Sequence, residues 1–204
     1  MRILITSASH DRSAALADHL ASHHEVRLTE RAHVETEYEF VLSALGHDRS
    51  TNLLTRGIDA IIHTAEPLPD EDVSSQLDAA TRGTYNLLMA AAEEGVQQVI
   101  LLGTLDLMAD YPAGYRVDET WRPLPQTQPP TLTKHMAEQV SREFAREGSL
   151  DVRVLRLGEA SDATVADAVV DALAQPASLA AQHRSKEEGA RDPWLITHVG
   201  ERPQ

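Results

Sequence analysis

The sequence predicts an α/β chain, built as a doubly wound parallel sheet with helices on both faces. Three observations carry that expectation. Short apolar, β-branched runs alternate with amphipathic stretches at helical spacing, the order that βαβ units require. The connections between them are compatible with right-handed crossovers, which stack such units into one parallel sheet. A length of 204 residues suits a single α/β domain, 1–204, with a real buried core.

The elements follow in order. Ile3 to Thr6 is the first strand, and Leu16, Ala17, Leu20 and Ala21 then recur at helical spacing. Glu25 to Thr29 and Tyr38 to Leu42 read as the second and third strands, and Ile58 to His63 (IDAIIH) as a strongly apolar fourth. A long helix is predicted over 78–94, stopped by Gly95. Val99 to Leu102 is the next strand. A polar loop punctuated by prolines follows, from Asp106 to Pro130, of a length usual for functional or disordered segments. The helix over 133–147 places Met136, Val140 and Phe144 on one face and stops at Gly148. Val152 to Leu157 is a strand. Val165, Val169 and Leu173 mark another helix, with Thr164 or Ser161 as its cap. Residues 178–192 read as a flexible connector before a last strand from Leu195 to Val199.

Composition narrows the function classes. With 42% hydrophobic and 25% charged residues, the chain has the make-up of a water-soluble globular protein. No run is apolar for long enough to span a bilayer or serve as a signal segment, so a cytoplasmic location is expected and a membrane partner is not. The 32 acidic residues outnumber the 18 basic ones, for a net charge of −14; such a surface repels phosphate backbones and argues against nucleic acid. Without cysteine there is no disulfide framework and no thiolate nucleophile or ligand. His19, His23 and His24 share part of one helix, but no HExxH arrangement accompanies them, so no metal site is expected.

The joint order of RILITSASHDRSAALADHL, HHEVRLTER, GIDAIIHTAEP, TRGTYNLLMAAAEEGVQQVILLGTLD, VDETWRPLP and LTKHMAEQVSREFAREGSLDVRVLRLGE resembles the extended short-chain dehydrogenase/reductase family, the NAD-dependent epimerases and dehydratases. The resemblance implies a Rossmann-like fold. It implies NAD as the cofactor, if the chain takes one, and a dinucleotide or other small molecule as ligand. It also implies a homodimer through the helices over 78–94 and 133–147. Members of the family carry a substrate-binding lobe after the strand matched by LRLGE. Here LRLGEASD runs almost directly into VADAVVDAL, so that lobe is expected to be largely absent.

The resemblance also assigns site residues. The glycines of the family's first βα turn, which let backbone approach a pyrophosphate at a helix N-terminus, fall on Ser7, His10 and Ser13. Glu30 matches the acid that binds the adenosine ribose, and Ala65 the small residue beside the cofactor, with Glu66 adding a carboxylate. Ala44 and Leu45 cover the adenine-contacting pair. In the catalytic set, Thr104 matches the serine/threonine and Lys134 the lysine, while Pro130 stands at the tyrosine position and Ala80 at that of a frequent asparagine. A tyrosine and a lysine four residues apart share one helix face, and the lysine lowers the pKa of the acid/base hydroxyl. Proline has no ionisable group. Two expectations follow: a degenerate member kept for binding, regulation or assembly, or an active but atypical oxidoreductase or sugar epimerase with a rebuilt cofactor loop. In the second, Tyr111 or Tyr115 would stand in for the missing tyrosine.

Overall fold

The computed structural model describes residues 1–175 and 194–202; the connector expected over 178–192 lies outside them. Seven strands form one fully parallel sheet in the order β3-β2-β1-β4-β5-β6-β7. They are β1 (Arg2–Ile5), β2 (Glu25–Glu30), β3 (Glu39–Leu42), β4 (Ala60–His63), β5 (Gln98–Thr104), β6 (Asp151–Leu157) and β7 (Trp194–Val199). This is the doubly wound, Rossmann-like architecture, and the strand order reverses between β1 and β4. Ligands of such sheets sit at that switch point, outside the strand C-termini.

Two apolar layers flank the sheet. On one face Ile3, Ile5, Ile100, Leu102 and Leu155 pack against α1 (Asp11–Leu20) and α6 (Asp162–Ala174). On the other, Leu4, Ile61, Val99, Leu101 and Val154 meet α2 (Arg49–Thr55), α4 (Thr84–Glu93) and α5 (Pro129–Glu147). The alternation of Cβ atoms along each strand makes this division, since residues i and i+2 share a face.

The helix expected over 78–94 begins earlier. Asp72 caps α3 (Val73–Asp78), accepting from the backbone N–H of Ser74 at 3.0 Å and Ser75 at 3.1 Å. The helix then passes through a wider turn, Ala79–Gly83, with π-type spacing, into α4. α2 was not expected from the sequence; its N-cap is Asp48. α5 starts four residues ahead of the predicted Thr133, because Pro129 and Pro130 occupy its first turn, where no N–H is needed. It ends at Gly148, whose φ of 75° is the left-handed conformation that favours glycine. Ser161, not Thr164, caps α6.

Only Gly158–Ser161 separate β6 from α6, so no lobe is inserted at that point. Gly158 is also required sterically: a Cβ there would lie 1.9 Å from the Glu201 carbonyl oxygen. No helix of the described residues is long and apolar enough to cross a membrane.

Candidate cofactor edge

The C-terminal edge of the sheet gathers most of the residues singled out in the sequence. After β1 the chain turns sharply at Ser7, whose φ of 53° is left-handed and costs a non-glycine residue about 1 kcal/mol. Its hydroxyl stitches the turn to the loop after β4, accepting from the Glu66 backbone N–H at 3.1 Å. His10 is the N-cap of α1, its Nδ1 accepting from the Arg12 N–H at 3.3 Å. Ser13 is fully buried and donates to the Thr6 carbonyl at 3.0 Å. Each glycine position thus carries a side chain bonded within the turn itself or to the loop beside it.

Glu30 lies at the end of β2, 4% exposed. Its Oε2 accepts from the Ser9 hydroxyl at 2.7 Å and the Ser9 N–H at 3.3 Å, and its Oε1 from the Arg31 N–H at 2.7 Å. The carboxylate therefore holds the β1–α1 turn. Ala65 has a φ of 50°, as does Leu45, and both line a narrow cleft with Ser7, Glu30 and His63. The cleft encloses about 30 Å³, whereas small-molecule sites typically offer roughly 300–1,000 Å³. With side chains at all three glycine positions and Glu30 already bonded, these residues do not fit a dinucleotide seated on the turn.

His63 is the buried group that sequence reading passed over. It is 2% exposed, and its Nδ1 meets Thr6 Oγ1 at 2.9 Å while its Nε2 meets Thr84 Oγ1 at 3.0 Å. Burial, reinforced by the nearby Lys134 cation, lowers its pKa to about 3. The ring is therefore neutral at pH 7. Its partners come from the end of β1 and from α4, so only the tertiary fold reveals them.

A second cleft of about 210 Å³ opens beside the first, lined by His10, Arg12, Glu66, Thr104, Pro130 and Lys134, among others. Lys134, 9% exposed, donates to the Thr64 carbonyl, to Glu66 Oε1 at 2.5 Å and to the Leu102 carbonyl at 3.4 Å. All three ammonium protons are engaged. Burial lowers the Lys134 pKa, and the Glu66 charge opposes that shift. Thr104 Oγ1 caps the short turn Leu105–Met108, accepting from the Asp106 N–H at 3.1 Å and donating to Asp106 Oδ2 at 2.9 Å. Pro130 faces the same cleft, and none of the chain's four tyrosines lines it. Tyr111 donates instead to the Arg122 carbonyl at 2.8 Å, and Tyr115 packs on Trp121. Ala80 is buried in the wide turn before α4. Thr104 and Lys134 are brought together at one cleft; Glu30 and Ser7 belong to the other. Among the described residues no cluster of histidine and carboxylate side chains has the geometry of a metal site.

Comparison with known proteins agrees with this fold. The model of the NAD dependent epimerase/dehydratase family matches residues 7–186. A short-chain dehydrogenase/reductase superfamily protein from Agrobacterium tumefaciens, solved with bound NAD, is 25% identical with a TM-score of 0.69, over 80% of this chain and 51% of that one. A mutated uronate dehydrogenase is 21% identical with a TM-score of 0.70, over 97% and 73% of the two chains. The UDP-glucose 4-epimerase of Thermus thermophilus, in complex with NAD, is 22% identical with a TM-score of 0.66, over 78% and 55%. The chain thus spans about half the length of the first and third of these structures. No curated protein matches it significantly by sequence. A family match across most of the chain, on a sheet of the same fold as these enzymes, places the protein in the NAD-dependent epimerase/dehydratase family.

Proposed function

We propose that this chain is a catalytically degenerate member of its family, with a binding, regulatory or assembly role. The observation that carries the reading is Lys134. Its ammonium is saturated by Glu66 and two carbonyls, and the residue four positions earlier is Pro130. A lysine so engaged has no hydroxyl to activate and no free donor for a ribose. Hydride transfer by the family route has no acid/base at this position.

The neighbours solved with NAD make NAD the cofactor to test first. Titration of the purified chain with NAD, NADH, NADP and NADPH, followed by calorimetry and thermal shift, is the decisive experiment. Millimolar cofactor is expected to give neither saturation nor a rise in melting temperature. Saturable binding in the micromolar range would overturn the reading and favour an active, atypical oxidoreductase or epimerase. That alternative draws its support from Glu30, Thr104 and Lys134, which all lie along the same sheet edge.

The reading also takes the chain to be a cytoplasmic homodimer, paired through 78–94 and 133–147. Tyr85 on α4 is 47% exposed and packs its ring 5.6 Å from that of the buried Phe144 on α5, which leaves one exposed aromatic ring on that helix pair. Sedimentation over a wide concentration range tests it, and a mass that stays monomeric throughout would remove the dimer.

A further inference from the structure

A third cleft lies away from the cofactor edge, between α5, the β6–β7 edge and the segment 119–123, and encloses about 510 Å³. It shares no lining residue with the two clefts described above. Its volume falls within the range of small-molecule sites, roughly 300–1,000 Å³.

The floor is Arg156. It is 1% exposed and pairs with the equally buried Glu138 through Nε at 3.1 Å and Nη2 at 2.5 Å. Its Nη1 is buried with no hydrogen-bond partner. A buried guanidinium donor left unmatched is expensive, so Arg156, beneath this cleft, is short of one acceptor. Arg122 and Arg142 line the same walls, both exposed and neither in an ion pair among the described residues. Against these three cations the lining has two carboxylates, Glu119 and Glu138. One positive charge remains in a chain whose net charge is −14.

The walls are also aromatic. Both tryptophans of the chain, Trp121 and Trp194, line this cleft. Trp121 is held edge-on by Tyr111 at 4.8 Å and braced by Tyr115 at 5.8 Å. Glu119 Oε1 accepts from the His198 N–H at 3.2 Å and ties this segment to β7. The wall is thus ordered before any ligand arrives, which reduces the entropic cost of binding.

We infer that this cleft binds a small planar ring bearing one carboxylate, the acid meeting Arg156 with Arg122 and Arg142 around it and the ring lying against the two indoles. A carboxylate is preferred to a phosphate ester because it matches the single surplus positive charge, whereas a phosphate ester carries nearly two negative charges at pH 7.

Both tryptophans line this cleft, so their two indole N–H signals serve as the readout. The full chain would be titrated with benzoate, with neutral benzamide and with inorganic phosphate, following both signals by NMR. Benzoate is expected to shift both saturably, with benzamide and phosphate at least about tenfold weaker. Arg122→Glu and Arg142→Glu, at exposed positions, should each weaken benzoate by about tenfold while circular dichroism stays unchanged. Lys134→Met should leave benzoate binding as it was. The inference fails if benzoate gives no saturable shift at tens of millimolar, or if benzamide or phosphate binds as well. It fails equally if the two arginine variants bind benzoate normally, or if Lys134→Met, with an unchanged circular dichroism spectrum, abolishes the response.

Discussion

Acid should destabilise this protein, and one enclosed ring should carry a large share of the loss. His63 is enclosed beneath the cofactor edge between Thr6 and Thr84, and its pKa falls from 6.5 in the open chain to about 3 in the fold. Below pH 6.5 the unfolded chain takes up a proton at this position that the folded chain refuses. Stability from the neutral ring is therefore complete above pH 6.5 and drains away as the pH falls toward 3. At ~1.4 kcal/mol per unit, the whole interval amounts to about 5 kcal/mol, and the loss at pH 4.5 is already about 3 kcal/mol. Set against a typical domain stability of roughly 5–15 kcal/mol, that loss is large. Urea unfolding followed by circular dichroism at a series of pH values would measure it. His24, His135 and His198 also have lowered pKa values through burial, so the comparison is with His63→Asn, which keeps a polar partner but cannot titrate. The variant should lose about one proton's worth of slope, ~1.4 kcal/mol per pH unit, across this window. An unchanged slope, or a ring in the wild-type chain that disappears in His63→Asn and titrates near 6.5 by NMR, would refute the reasoning.

Two further outcomes follow from the ion pairs. Glu66→Gln leaves the buried Lys134 ammonium without its counter-charge, costing about 1–3 kcal/mol at pH 7, since Glu66 itself keeps a quarter of its side chain in solvent. Because Glu66 is what raises the Lys134 pKa, the variant's lysine should release its proton more readily. The deficit in melting temperature should then shrink between pH 7 and pH 9, and an equal deficit at both would contradict the pairing. Glu138→Gln strands the Arg156 charge in a dry site, with both partners at most 2% exposed, and should cost about 3–5 kcal/mol in urea; a loss below about 1 kcal/mol would show that water reaches the pair.

Local pattern carried the sheet well because its strands and the glycine stops of two helices are written in neighbouring residues. The apolar runs at 58–63 and 152–157 and the glycines at 95 and 148 need no tertiary context. α2 escaped because its seven residues, RSTNLLT, contain only one turn of apolar spacing and are fixed by the Asp48 cap and by packing on α4. The proline-rich segment 106–130 read as a polar loop, yet Tyr111, Tyr115 and Trp121 fold it into an aromatic unit whose contacts are set by tertiary packing. At the site, the positions of Ser7, Glu30, Thr104 and Lys134 were legible through resemblance. Their partners were not: Glu66 lies 68 residues from Lys134, and Ser9 lies 21 from Glu30.

Those partners decide what the cofactor edge can recruit. Glu30 is bonded to Ser9, Thr104 to Asp106, and Lys134 to Glu66 and two carbonyls. A ligand that accepts a proton from Thr104 or Lys134 must first break an internal hydrogen bond, because every such proton is already donated, and exchanging one bond for another yields little net free energy. For Lys134 the exchange is worse, because the displaced Glu66 carboxylate would face an incoming phosphate. The third cleft has the opposite condition. The Arg156 Nη1 atom already bears the cost of burial without a partner, and Arg122 and Arg142 have no ion pair among the described residues to give up. An acceptor arriving there gains a charge-assisted bond with nothing broken in return. On the inference above, the unmet hydrogen-bonding capacity lies on the flank beside β7, while the protons of Thr104 and Lys134 at the other edge are already committed.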